Sequence, residues 1–179
     1  GQNSIGPERD DNLGALRTYE LLKAMSVLRV DIGWLADNRN NSIVDFGLSK
    51  SAEETFEFWD KNYTIKRMIR MVRAYKPDII IPTFLDVNGQ HGHHRSVTRA
   101  TIEAYDKSND PEMFPDDNFG PWKISQIFLP AWSGGGGSYD DEEDPPKATH
   151  SIDVGNFNHI YGGTYNQIGE WSRSYHATQ

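Results

Sequence analysis

The apolar positions of this chain follow two periods in turn, and the alternation predicts helices and strands in succession. Residues 1–9 are polar and rich in turn formers. Leu21, Leu22, Met25 and Leu28 then recur at helical spacing, predicting a helix that Asp10 or Asp11 can cap. Arg17 and Glu20 lie on it, with two solvated charges as the plain reading and a functional role as an equal alternative. Val30, Ile32, Trp34, Ile43, Val44 and Phe46 predict a strand over 30–47, broken by an Asn-rich insert and ending in the turn former Asp45-Phe46-Gly47. Ser51-Ala52-Glu53-Glu54 is a capping-box pattern that opens a short helix with Phe56 and Trp59. Ile65, Met68, Ile69 and Val72 stand at i, i+3, i+4 and i+7, an amphipathic helix. Its other face carries Lys66, Arg67, Arg70 and Arg73 and reads as solvated, with anion binding as the alternative.

Lys76-Pro77-Asp78 stops that helix and starts the apolar run Ile79-Ile80-Ile81-Pro82-Thr83-Phe84, a buried strand. A polar turn follows, then a helix with Val97, Ala100, Thr101, Ala104 and Tyr105. Residues 107–121 are a Pro/Asp/Asn-rich loop, and 124–132 read as another strand. Gly134 to Gly137 and the acidic run Asp140 to Asp144 form a long excursion; the run lacks the alternating ligands of a calcium loop and reads as solvated. Ser151 to Val154 read as a short strand, and 160–178 as a last helix holding Ile168, Trp171, Tyr175 and His176. Helices alternating with an apolar strand predict an α/β fold, a three-layer α/β/α sandwich with a mainly parallel sheet.

Composition narrows the function. The 179 residues suffice for one domain with a core, and residues 1–179 read as a single domain. Hydrophobic content of 36% is low, but 12% aromatic residues argue against disorder. A net charge of −8 disfavours nucleic acid as a partner. No apolar run approaches the roughly 20 residues of a membrane-spanning helix. The chain has no cysteine, so a metal site must use histidines and carboxylates.

One stretch gathers the candidate chemistry: Asp86-Val87-Asn88-Gly89-Gln90-His91-Gly92-His93-His94-Arg95, with three of the six histidines. It follows the apolar strand and precedes a helix, the place where α/β proteins build sites. His91 and His94 are three apart and share a helical face, where they could grip one ion or one substrate group. No Gly-x-Ser-x-Gly elbow, Walker loop or dinucleotide fingerprint competes with them. A zinc site needs about three protein ligands, more than this stretch supplies.

The order and spacing of several short motifs resemble the PIG-L/LmbE family of zinc-dependent N-acetylglucosaminyl deacetylases, in particular its larger bacterial members. They are Gly1-Gln2-Asn3 with Ile5-Gly6 and Glu8; Leu16-Arg17-Thr18 with Glu20-Leu21-Leu22; Asp45-Phe46-Gly47 with Ser49-Lys50; Lys76-Pro77-Asp78; and His91-Gly92-His93-His94. The Gly-rich stretch before Tyr139-Asp140-Asp141-Glu142, and Ile168-Gly169 with Ser172-Arg173 and His176 near Gln179, extend the likeness towards the end of the chain.

The resemblance implies a Rossmann-like fold and de-N-acetylation of an amino sugar or glycoconjugate with Zn²⁺ or another divalent ion. It implies His94 as a metal ligand and His91 as the charged group that stabilises the tetrahedral intermediate. Arg17, Asp45 and His176 match positions implied to bind substrate, and His93 has no implied role beyond a solvent-facing or supporting place. The family's His-Pro-Asp-Asp motif, with two zinc ligands and the catalytic base, does not occur in this sequence. The expectation is therefore an incomplete deacetylase domain that starts just after the second strand of the family fold. The alternative is a degenerate module that binds glycans without hydrolysing them.

Overall fold

Five α-helices and four two-residue strands form among the residues described by the computed structural model, which are residue 3 and residues 5–36, 43–115, 118–131 and 147–178. The Gly134 to Gly137 and Asp140 to Asp144 expectations lie outside the described residues. The chain divides into two units, Gly1–Gly33 with Thr149–Gln179, and Trp34–Ala148.

The second unit begins with α2 (Ala52–Trp59), and Ser51 caps it as its sequence pattern predicts: its Oγ accepts the Glu54 N–H at 3.1 Å. Glu54 returns the contact one residue earlier than a capping box would, its carboxylate accepting the Lys50 N–H at 2.9 Å. Asp60 then breaks the chain direction in a left-handed conformation (φ 57°) and caps α3 (Lys61–Tyr75) through the Tyr63 N–H. Parallel strands β1 (Ile79–Ile80) and β2 (Gln126–Ile127) are joined across α4 (Gly92–Lys107). Ile65, Ile69 and Val72 of α3, Ala100 and Ala104 of α4, and Ile124 form the core, flanked by Met68, Ile80, Phe114 and Trp122. The helix–strand order agrees with the α/β expectation, and this one two-stranded pair is parallel.

Several elements differ from it. The run at 79–84 pairs over two residues only, with Ile79 and Ile81 exposed. The Phe128 N–H donates to the Ile80 carbonyl at 3.1 Å, and the next donor from this strand would be Pro82, which has no N–H. Among the described residues of 30–47 no strand forms. The carbonyls of Trp34, Leu35 and Ala36 accept from the Arg67 guanidinium. Arg73, read as solvated, is 2% exposed. It donates to the carbonyls of Ser108, Asp110, Met113 and Phe114 and so fixes the loop after α4. The basic face of α3 thus serves loop carbonyls at two of its four positions.

In the first unit, α1 (Asp10–Leu28) has Arg9 at its N-cap with no side-chain cap; Asp10 and Asp11 lie in its first turn, where the helix dipole favours acidic groups. Its buried residues are Leu13, Glu20 and Ala24, whereas Leu22 is exposed. Glu20 is therefore not a solvated charge: its carboxylate accepts the Thr178 N–H at 3.1 Å and the Thr178 hydroxyl at 2.8 Å. The expected strand at 151–154 is coil, because an Asp153 turn that accepts the Gly155 N–H interrupts it. A hairpin of β3 (Phe157–Asn158) and β4 (Gly163–Thr164) follows instead. Helix α5 (Tyr165–Arg173) starts where Thr164 and Gln167 form a reciprocal capping box. Ser172 donates its hydroxyl to the Ala24 carbonyl of α1 at 2.9 Å. No helix among the described residues is long and apolar enough to cross a membrane.

Candidate active site

Three small or polar contacts seat the first turn of α4. Gly92 donates its N–H to the Ser49 carbonyl at 2.7 Å, and a Cβ at Gly92 would overlap Ser49 Oγ and the Ser51 carbonyl. Ser96 donates to the Ala52 carbonyl, at 3.2 Å, and to the Gly92 carbonyl. Asp86 holds the helix from the preceding loop: Arg95 donates to one of its oxygens at 2.6 Å and Arg99 to the other. Arg99 also pairs with Glu53 of α2. The histidine turn is thus tied to the Ser49–Ser51 segment, to α2 and to the loop after β1.

His91 is the N-cap of α4. Its Nδ1 accepts the His93 N–H at 3.3 Å, which places the ring proton on Nε2, and Nε2–H donates to the Gly47 carbonyl at 3.0 Å. Gly47 is held for this by a positive φ of 95° and by its own N–H donating to Asp45 Oδ1 at 2.8 Å. Asp45 is therefore a turn former, as the sequence predicts, with a half-exposed carboxylate. Both ring nitrogens of His91 are engaged within the protein, so the oxyanion role implied for it requires Nε2–H to leave the Gly47 carbonyl.

His94 lies flat against Phe84, ring centroids 4.1 Å apart at 10°. Its Nδ1 stands 2.9 Å from Gln90 Oε1, the same atom that accepts the His91 N–H at 2.9 Å. Burial first, and then the neighbouring His91, hold His94 below the ordinary histidine value. A neutral imidazole is the form that binds metal.

His93 does not face solvent. It stacks on Trp59 at 5.0 Å and meets Phe46 edge-on at 4.4 Å, with Asp45 Oδ1 3.7 Å from its Nδ1. Burial in this aromatic box, reinforced by His91, pushes it down to about 4, against a smaller upward pull from Asp45. Its buried Nε2 has no hydrogen-bond partner among the described residues.

The structure brings His91, His93, His94 and Asp45 together in the second unit. Arg17 and His176 belong to the first unit. There Arg17 donates to the Thr178 carbonyl at 3.3 Å and reaches its hydroxyl, while the buried His176 Nδ1 has no hydrogen-bond partner among the described residues. Sequence reasoning missed Gln90, Gly47, Ser49 and the double role of Asp86. The spacing of Arg95 and Arg99, one helical turn apart after a lone Asp, was a signal for the last of these.

A metal site of three or more His, Cys, Asp or Glu side chains is absent among the described residues. What is present fits one arm of such a site: a neutral, half-buried imidazole whose Nδ1 faces an amide oxygen.

A model of the GlcNAc-PI de-N-acetylase family, PIG-L, matches residues 1–105. The chain belongs to the PIG-L family. A 1D-myo-inositol 2-acetamido-2-deoxy-alpha-D-glucopyranoside deacetylase of Streptomyces scabiei is 29% identical over 69% of this chain and 39% of its own length. An enzyme of the same name from Frankia alni is 28% identical over 73% of this chain and 46% of its own length. A mycothiol S-conjugate amidase of Streptomyces coelicolor is 26% identical over 62% of this chain and 38% of its own length. The chain spans less than half the length of the curated relatives it matches.

Proposed function

We propose that the protein containing this chain hydrolyses the N-acetyl amide of an amino sugar or glycoconjugate in a metal-dependent reaction. Family membership supports this reading, as do relatives named as deacetylases of an N-acetylglucosaminyl inositol and as an amidase. The single observation in the structure that carries it is the setting of His94: half-buried, neutral, stacked on Phe84 and turned by Gln90 at a strand-to-helix junction.

In this proposal His94 supplies one ligand to Zn²⁺ or another divalent ion, and the other ligands are not among the described residues. The chemistry supplied there when an ion is bound would be Lewis acidity, towards a water and towards the substrate carbonyl. His91 would give its Nε2–H to the developing oxyanion in place of the Gly47 carbonyl. His93 supports the turn from within its aromatic box. Arg17, His176 and Asp45 are proposed to contact the sugar. We also propose that the β1–β2 pair with α3 and α4 is part of a Rossmann-like three-layer sandwich, and that both units belong to one deacetylase domain.

The test is acetate release from an N-acetylglucosaminyl inositol by the full-length protein. The proposal expects release that a chelator stops and added Zn²⁺ restores. Release that is unaffected by exhaustive chelation would overturn the metal dependence, and absence of release with and without Zn²⁺ would overturn the activity.

A further inference from the structure

The two outer histidines of the turn are held in opposite tautomers, and one side chain causes the difference. Gln90 is 6% exposed and immediately precedes α4. Its Oε1 receives the His91 backbone N–H at 2.9 Å. A backbone N–H can only donate, so the atom it meets is the amide oxygen and not the nitrogen. The same oxygen lies 2.9 Å from His94 Nδ1, which must therefore carry a proton to bond it. The neutral His94 ring is left with its lone pair on Nε2. His91 is the reverse, with Nδ1 accepting from the His93 N–H and the proton on Nε2.

The isolated neutral histidine side chain prefers the Nε2–H tautomer, in which a metal would have to bind through Nδ1. His91 follows that preference and His94 is held against it. Metal-binding histidines use the second ring nitrogen to donate to an oxygen, which fixes ring orientation and tautomer together. Stacking on Phe84 adds a further restraint on the rotation of the His94 ring.

We infer that Gln90 is a positioning residue that sets His94 in the Nδ1–H tautomer so that Nε2 is the atom offered to the metal. The inference rests on the proposed metal-dependent function for its purpose, and on hydrogen bonding alone for its geometry. Gln90 touches neither metal nor substrate in this scheme. Its amide oxygen also ties the N-cap residue to the ligand, so that ring orientation and helix start are set by one atom.

Two readouts on the full-length protein test it. The first is the nitrogen-15 NMR spectrum of metal-free protein near neutral pH. His94 is expected as Nδ1–H and His91 as Nε2–H; His94 as Nε2–H in the wild type would overturn the inference without any variant. In Gln90→Met, which keeps the volume and removes the acceptor, His94 is expected to revert to Nε2–H. In Gln90→Glu, which keeps an acceptor oxygen, it is expected to stay Nδ1–H. The second readout is Zn²⁺ affinity, expected to fall about 10- to 100-fold in Gln90→Met and to be largely retained in Gln90→Glu. An unchanged tautomer in a folded Gln90→Met would overturn the inference, as would a switched tautomer with unchanged Zn²⁺ affinity. If wild type binds no Zn²⁺ at all, the metal-dependent function fails and with it the purpose assigned to Gln90, while the tautomer spectra still decide the geometry.

Discussion

Gly92 donates its backbone N–H to the Ser49 carbonyl at 2.7 Å, and the approach is close enough that no side chain fits between them. A Cβ would overlap Ser49 Oγ and the backbone oxygen of Ser51 and stand 2.8 Å from Thr55 Oγ1. In an open helix Gly→Ala stabilises by about 1 kcal/mol. Here overpacking against backbone, about 1–3 kcal/mol, outweighs that gain. Gly92→Ala is expected to lower the urea midpoint without changing its slope. A midpoint at or above the wild-type value would show that the first turn of α4 has room to move.

Arg73 binds four loop carbonyls from a position that is 2% exposed. Arg73→Met keeps much of the apolar stem and strands those acceptors. The expected cost is about 2–3 kcal/mol in chemical denaturation, since hydrogen bonds from a charged donor contribute more than neutral ones. Hydrogen exchange at residues 108–114 should rise with it. A cost under about 0.5 kcal/mol would mean that the loop is held by other means.

Much of the site was legible because it is local. Three histidines in four positions, an apolar run before them and helical spacing after them lie within a few residues of one another. Arg73 was misread although its signal was present: counting by fours from Ile65 and Ile69 places it on the buried stripe, not on the basic face. Glu20 is similar, since it lies seven residues after Leu13 and four before Ala24, which are both buried. Charge suggested solvent in both cases, and the carbonyls and the Thr178 groups that overrule it come from distant sequence. Strand lengths were overestimated because an apolar run does not reveal its pairing partner, and Pro82 removes a donor from the middle of this one.

Glu20 also predicts how the last residues of the first unit are held. Its carboxylate accepts both the backbone and the hydroxyl of Thr178, 158 positions away. Glu20→Leu is expected to increase hydrogen exchange at 174–178 at least tenfold, while Glu20→Gln, which retains one acceptor oxygen, loses less protection. Equal protection in wild type and Glu20→Leu would contradict this.

Acid sensitivity has a named contributor in Glu103. The Lys107 ammonium that donates to it, with Lys61 nearby, holds its carboxyl below the ordinary value. A carboxyl depressed in the folded state contributes stability that is present above the ordinary carboxylate range and lost as the pH falls through it. The pair is partly exposed, so the contribution is about 0.3–0.5 kcal/mol. Glu103→Gln should lower stability by that amount at pH 7 and match wild type below about pH 3. A difference that grows on acidification would have the wrong sign.

The measurement that bears most directly on the central claim is bound metal and acetate release in the full-length His94→Ala protein. The account predicts that Zn²⁺ content falls to background and that deacetylation of an N-acetylglucosaminyl inositol is lost, with the fold retained by circular dichroism. Full Zn²⁺ content and undiminished turnover in that variant would contradict it.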